Sequence, residues 1–249
     1  MNNITLHIGT THYDCQLPTS WDELTQEQFV YAVSHQPADQ DAVPYKIVRH
    51  LLALPYDADL FVLPADLYVI YRDCLSFLAD PTQISSWLIN DIQLSDGRHC
   101  LPPAADFDNV TWEEFIFFDQ LAQRSNWPAV ASCLFRPLLD VPDENADPRV
   151  PFSRQGTSRR LPLFRQLDPA VLYAVQVNYL ILRSHLTDRY RHLFCHDNSQ
   201  PPSSSSSSWV TISRSLLGGS VWHEQQLLHT SVAQVLYHLD NTIKDSKNK

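Results

Sequence analysis

The chain has 249 residues, 44% of them hydrophobic and 18% charged, enough apolar material for one substantial core or two modest ones. Its formal net charge of -10 opposes general binding to nucleic acid or to an acidic membrane, because both surfaces repel most of the molecule. Five glycines against 17 prolines exclude glycine-rich nucleotide loops and point to helices delimited by proline.

Ile4, Leu6 and Ile8 alternate with polar residues, Gly9 can turn the chain, and Tyr13, Cys15 and Leu17 resume the alternation, so residues 3–17 read as a β-hairpin. Pro18 ends it. Ser20 stands three residues before Glu23, the capping-box spacing, and predicts a helix start there with Leu24, Phe29, Val30 and Val33 on its apolar side. A second helix is expected from about Asp41, burying Ile47, Val48, Leu51 and Leu52, then a short one near residues 58–63. Pro64 opens a longer one that Pro81 stops.

Residues 87–94 are β-like, Asp96-Gly97 is a strong hairpin turn, and residues 98–101 form the return strand. Thr111 and Glu114 repeat the capping-box spacing ahead of Phe115, Phe118 and Leu121, and Pro128 opens one further helix. Residues 8–24 and 94–115 thus carry the same order of hairpin, Leu-Pro, and tryptophan-led capped helix. Their tryptophans, Trp21 and Trp112, are expected in the core, folded back over their own hairpins.

Beyond residue 140 the chain turns polar and proline-rich, with Asp140, Asp143, Glu144 and Asp147 followed by Arg149, Arg154, Arg159 and Arg160. A mobile charged loop is expected there. The longest helical pattern follows from Pro169 to about Phe194, with Asp168 as cap. Six consecutive serines after Pro201-Pro202 read as a linker, and a last helix is expected over residues 221–243. The chain accordingly divides into hairpin-helix units at 1–82 and 83–140, a loop at 141–167, a long helix at 168–196, a linker at 197–208 and a helical segment at 209–249. The fold class is mainly α with two small β-hairpins, either separate or joined in one sheet.

Cys15, Cys74, Cys100, Cys133 and Cys195 are odd in number and sit in apolar stretches, the pattern of reduced core thiols. The first residues show no signal peptide, and no stretch reaches the roughly 18 apolar residues of a membrane span, so a cytoplasmic chain is expected. His185, His192, Cys195 and His196 offer metal-ligand chemistry with poor spacing, and His223, His229 and His238 do not share one helix side. No nucleophile motif occurs. Asp22-Glu23 and Glu113-Glu114 have a sufficient explanation in helix capping and dipole complementarity. Arg154, Arg159, Arg160 and Arg165 are candidates for a docking arm that grips carboxylates or phosphates of a partner.

The run LPTSWDELTQEQF at residues 17–29 resembles the opening of proteins from Bacteroidetes prophage and phage morphogenesis clusters, and residues 101–115 are similar. Residues 216–239, with LLGG and VAQVLYHL, resemble the helical ends of tail-assembly chaperone-like proteins. The resemblance implies a non-enzymatic assembly or scaffold protein without a cofactor or metal, binding a tape-measure or tail protein, and neither nucleic acid nor membrane. The alternative is a metal-dependent enzyme built on the histidines of residues 185–196.

Overall fold

The computed structural model describes residues 1–37, 43–139, 147–194, 209, 213 and 223–247. It is mainly helical, with two separate small antiparallel sheets of two and three strands. The chain forms two compact units that are each discontinuous in sequence: unit 1 holds residues 1–90 and 168–181, unit 2 holds residues 91–167 and 182–249.

Unit 1 opens with the hairpin of β1 (Asn2–Ile8) and β2 (Thr11–Leu17), paired from Asn2 opposite Leu17 to Ile8 opposite Thr11. Gly9 takes φ 62 in the two-residue turn, a conformation that costs glycine little because it has no Cβ. The predicted helix start at Ser20 is corrected. Residues Trp21–Glu23 form a single 3-10 turn without a Ser20 side-chain cap, and α1 (Gln26–Ser34) begins five residues later. Its capping box is Thr25 with Gln28: the Gln28 amide donates to Thr25 Oγ1 at 3.2 Å, and Gln28 Oε1 accepts from the Thr25 amide at 3.0 Å.

Tertiary contacts explain the shift. Trp21 is buried, and its indole donates to the carbonyls of Phe77 at 2.9 Å and Asp80 at 3.0 Å while meeting the Phe29 and Phe77 rings edge-on. Asp22 accepts from the amides and hydroxyls of Ser85 and Ser86. Glu23 accepts from Thr19 and the N-terminal ammonium. Three successive side chains thus have partners outside the turn itself.

The chain continues through α2 (Tyr45–Leu52), α3 (Tyr56–Asp59) and α4 (Pro64–Cys74). Helix α2 buries Ile47, Val48, Leu51 and Leu52 as its periodicity predicts, and α4 starts at Pro64. Arg49 holds α2 to the α3 end by donating to the Asp59 carbonyl at 2.6 Å and the Val62 carbonyl at 2.9 Å. Helix α4 ends earlier than expected, at Cys74, followed by 3-10 turns at Ser76–Ala79 and Pro81–Gln83.

Unit 2 begins with β3 (Ile92–Gln93) and β4 (His99–Leu101), turning at Gly97 with φ 85. After α5 (Trp112–Gln123) and α6 (Trp127–Leu134), the short β5 (Arg136–Pro137) pairs with β4, a third strand that the sequence pattern does not show. Helix α7 (Arg154–Phe164) takes 11 residues of the stretch expected as a loop. Helix α8 (Pro169–Arg189) contributes its residues through Ile181 to unit 1 and the remainder to unit 2, and α9 (Arg191–Phe194) follows. Asp168 accepts from the Ala170 amide at 2.8 Å, the expected cap.

The C-terminal helix is broken into α10 (Glu224–Leu228) and α11 (Val232–Lys247), and it docks on its own unit. Backbone bonds join Trp112 N to Thr230 O at 2.8 Å and Val232 N to Val110 O at 2.9 Å, and Val232, Val235, Leu236 and Leu239 are buried. Trp112 packs with Phe115 and Trp209, and its indole donates to Ser213. The serine run and Gly218-Gly219 lie outside the described residues.

Asn178 is fully buried in unit 1, where its Oδ1 accepts from the Leu88 amide at 2.7 Å and the Ile89 amide at 3.3 Å and its Nδ2 donates to the Ser86 carbonyl at 2.9 Å. Asn178→Ala orphans all three backbone groups and is expected to cost about 2–4 kcal/mol in urea denaturation. A loss under about 0.5 kcal/mol contradicts this account.

Candidate functional site

The four arginines expected to act together are divided by α7. Arg160 is 5% exposed and donates to the Ser132 carbonyl at 2.9 Å, whereas Arg154, Arg159 and Arg165 lie on the solvent side. Arg154 pairs with Glu113 at 3.0 Å and covers the Phe117 ring. A helical period explains the division, because Thr157, Arg160 and Phe164 form the buried stripe of α7. The single mobile arm is therefore corrected to a helix with one core arginine. Asp140, Asp143 and Glu144 of that expected loop lie outside the described residues.

A buried ionic group that the sequence pattern did not reveal is built from Glu114, Arg136, Asp147 and Arg149. Arg149 donates to both Asp147 oxygens, at 2.8 and 2.7 Å, and to the Leu134 carbonyl at 2.9 Å. Arg136 reaches Asp147 at 2.9 Å and Glu114 at 3.3 Å. Ser132 and Leu134 lie in the last turn of α6, whose carbonyls have no partner within their helix, so Arg149 and Arg160 act as its C-terminal caps.

The Thr111 cap holds in half: Thr111 Oγ1 accepts from the Glu114 amide at 3.3 Å, but Glu114 turns into the core and does not return to Thr111. Glu114 is 1% exposed, and its Oε1 has no hydrogen-bond partner among the described residues. Burial pushes its carboxyl up to about 7, with the Arg136 and Arg149 charges pulling the other way. Desolvation outweighs the ion pair here, as the 3.3 Å separation allows.

The remaining chemistry is dispersed. His185 and His192 are half-buried, His223, His229 and His238 are exposed, and Cys195 and His196 lie outside the described residues. Among the described residues no three His, Cys, Asp or Glu side chains are grouped to hold a metal ion. Cys15, Cys100 and Cys133 are buried and Cys74 is half-buried, all as free thiols; burial raises Cys100 to about 11 and Cys133 well above its ordinary range. Such thiols are poor nucleophiles. Among the described residues no helix is long and apolar enough to cross a membrane.

Unit 1 instead presents an open apolar surface. Tyr56, Leu60, Phe61 and Leu63 are 80%, 63%, 71% and 61% exposed, and Tyr68 and Val69 are nearly half exposed. Of these, Phe61 and Val69 line a groove of about 540 Å³ between Thr5, Leu6, His7, Ile8 and Gly9 on one side and Phe61, Val62, Asp66, Val69 and Ile70 on the other. The inner face of the hairpin explains the groove. Cys15 and Leu17 of β2 are buried, while Ile4, Leu6 and Ile8 of β1 are only half-buried. Unit 1 also holds 12 of the 28 acidic residues and 3 of the 18 basic ones, so it carries nine of the ten net negative charges. No family model, curated protein or solved structure matches the chain.

Glu114→Gln tests the ionic group. The folded-state value of Glu114 lies above its ordinary 4.5, so wild-type stability from this group is complete below about pH 4.5 and declines as pH rises to about 7. The variant removes that decline while Arg136 keeps Asp147. Calorimetry is expected to show its advantage growing over this interval to about 1–3 kcal/mol and levelling above it. A difference independent of pH contradicts the assignment.

Proposed function

We propose that this protein is a non-enzymatic assembly or scaffold factor, of the tail-assembly chaperone kind that residues 17–29 and 216–239 resemble, and that it binds other proteins through unit 1. The carrying observation is the exposure of Phe61 and Val69 in the wall of a mainly apolar groove, with Leu60 and Leu63 exposed on either side of Phe61 and Val62 in the chain. Solvent-facing apolar side chains occur singly on any protein, but a patch next to a cleft marks an interaction surface. The partner class is another protein, with a tape-measure or tail component as the candidate that the resemblance implies. The net charge of unit 1 makes nucleic acid and anionic lipid poor partners.

A photoreactive residue at position 61 or at the control position 165 places the test on the surface itself. A partner that crosslinks from position 61 and not from 165 is identified, purified and titrated against wild-type protein and Phe61→Asp by calorimetry. Phe61→Asp is expected to weaken binding about tenfold or more, with an unchanged thermal midpoint because Phe61 is mostly exposed. Equal affinity of both proteins, or crosslinking confined to position 165, overturns the assignment of this surface.

A further inference from the structure

We propose that unit 1 receives an extended, cationic segment of its partner protein as an added strand on the free edge of β1, with alternate apolar side chains entering the groove toward α4. This rests on the protein-binding reading above and specifies what is bound and how.

The hairpin register supplies the first argument. A two-residue turn between Ile8 and Thr11 makes that pair mutually hydrogen-bonded, and strict alternation follows along the strands. The pairs Leu6 with Tyr13, Ile4 with Cys15 and Asn2 with Leu17 bond inward. The amides and carbonyls of Asn3, Thr5 and His7 therefore point away from β2, and among the described residues no other backbone group bonds them. Natural edge strands are commonly protected by charge, proline or a bulge. Strand β1, NNITLHI, has none of these in its own sequence, and the Asp14 carboxylate of β2, which accepts from the Thr5 hydroxyl at 2.7 Å, adds negative charge beside it.

The groove supplies the second. It runs along Thr5 to Gly9, the half of β1 nearest the turn, so a strand bonded to Thr5 and His7 lies over it. Every second side chain of such a strand points to the same side as Leu6 and Ile8 and meets Phe61, Val69 and Ile70. A helix offers no backbone partners to the edge, and a small apolar ligand leaves it equally unpaired.

Charge selects among extended segments. Two of the three basic residues of unit 1 are committed, Arg49 to Asp59 at 2.7 Å and Arg72 to Asp73 at 2.6 Å. Asp66 lines the groove wall, and no lysine or arginine does. A second copy of this chain would bring another unit with nine net negative charges to the same edge, which favours a partner segment rich in lysine or arginine.

The test uses the full chain and three fluorescent peptides of equal length: alternating Lys and Val, alternating Glu and Val, and a Lys-Leu peptide with helical spacing. Anisotropy is expected to show binding of the Lys-Val peptide, at least about tenfold weaker binding of the Glu-Val peptide, and weakening between about 0.05 and 0.5 M salt. Thr5→Pro removes an outward N–H without removing a hairpin bond and is expected to cost about tenfold or more, while Thr5→Val, which keeps the N–H, stays within about twofold.

Should Thr5→Pro fail to fold, amide exchange of the wild-type protein decides: the peptide is expected to slow Thr5 and His7 and to leave His12 and Asp14 unchanged. Unchanged Thr5 and His7 exchange, or no Lys-Val binding, overturns the proposal. Tight binding of the helical peptide that depends on Phe61 and ignores Thr5→Pro overturns strand addition and leaves the protein-binding reading standing. Concentration-dependent dimerisation in sedimentation, abolished by Thr5→Pro, assigns the edge to a second copy and also overturns it.

Discussion

A two-stranded hairpin has one inner face to bury, and unit 1 covers only the β2 half of it. Helix α2 packs against β2, and Cys15 and Leu17 disappear from solvent. Helix α4 buries Leu67 and Ile70 but turns Tyr68 and Val69 outward, so Ile4, Leu6 and Ile8 have an incomplete floor. An isolated hairpin is marginal in water, and this one depends on the cover it has. Each further Å² of apolar surface removed from water contributes roughly 25 cal/mol, which gives the groove a standing affinity for apolar side chains.

The distribution of charge gives that affinity a sign. Hydrophobic attraction does not discriminate between partners, whereas an excess of carboxylates on one unit does. Unit 2 is nearly neutral overall, with a net charge of -1. The composition of the whole chain opposes anionic surfaces only in bulk; its partition places nearly all of the net charge on unit 1, where Asp66 lines the groove. The exposed apolar side chains of Phe61 and Val69 and the excess of carboxylates thus fall on the same unit.

Much of the fold was legible because its signals are local. The turns at Gly9 and Gly97 and the helix starts at Pro64 and Asp168-Pro169 need only their own neighbours. The run from Ser20 to Gln28 contains two overlapping capping patterns, and local chemistry does not choose between them. Trp21 and Asp22 choose, through Phe77, Asp80, Ser85 and Ser86, more than fifty positions away. Helix α7 was hidden for a different reason: its buried stripe of Thr157, Arg160 and Phe164 is two-thirds polar, so an apolar count registers no period. The groove was not legible, because nothing in the sequence separates the exposed Phe61 and Val69 from the apolar residues that the helices bury.

The fate of the arginines shows how unit 2 makes polar sequence structural. Helix α6 is nearly all apolar and ends inside the protein, where its final carbonyls cannot turn to water. Neutral donors would satisfy them, but a guanidinium also complements the negative end of the helix dipole. Of the two cations placed there, Arg149 is paired with Asp147, which also reaches Arg136. Although burial pushes the Asp147 carboxyl up, the Arg149 bonds and charge hold it below its ordinary range. Glu114 lacks such a full set of donors and carries the desolvation cost instead. Of two carboxylates beside the same guanidinium, the more deeply buried Glu114 is shifted up by desolvation, while the less buried Asp147, bonded by Arg149, is shifted down.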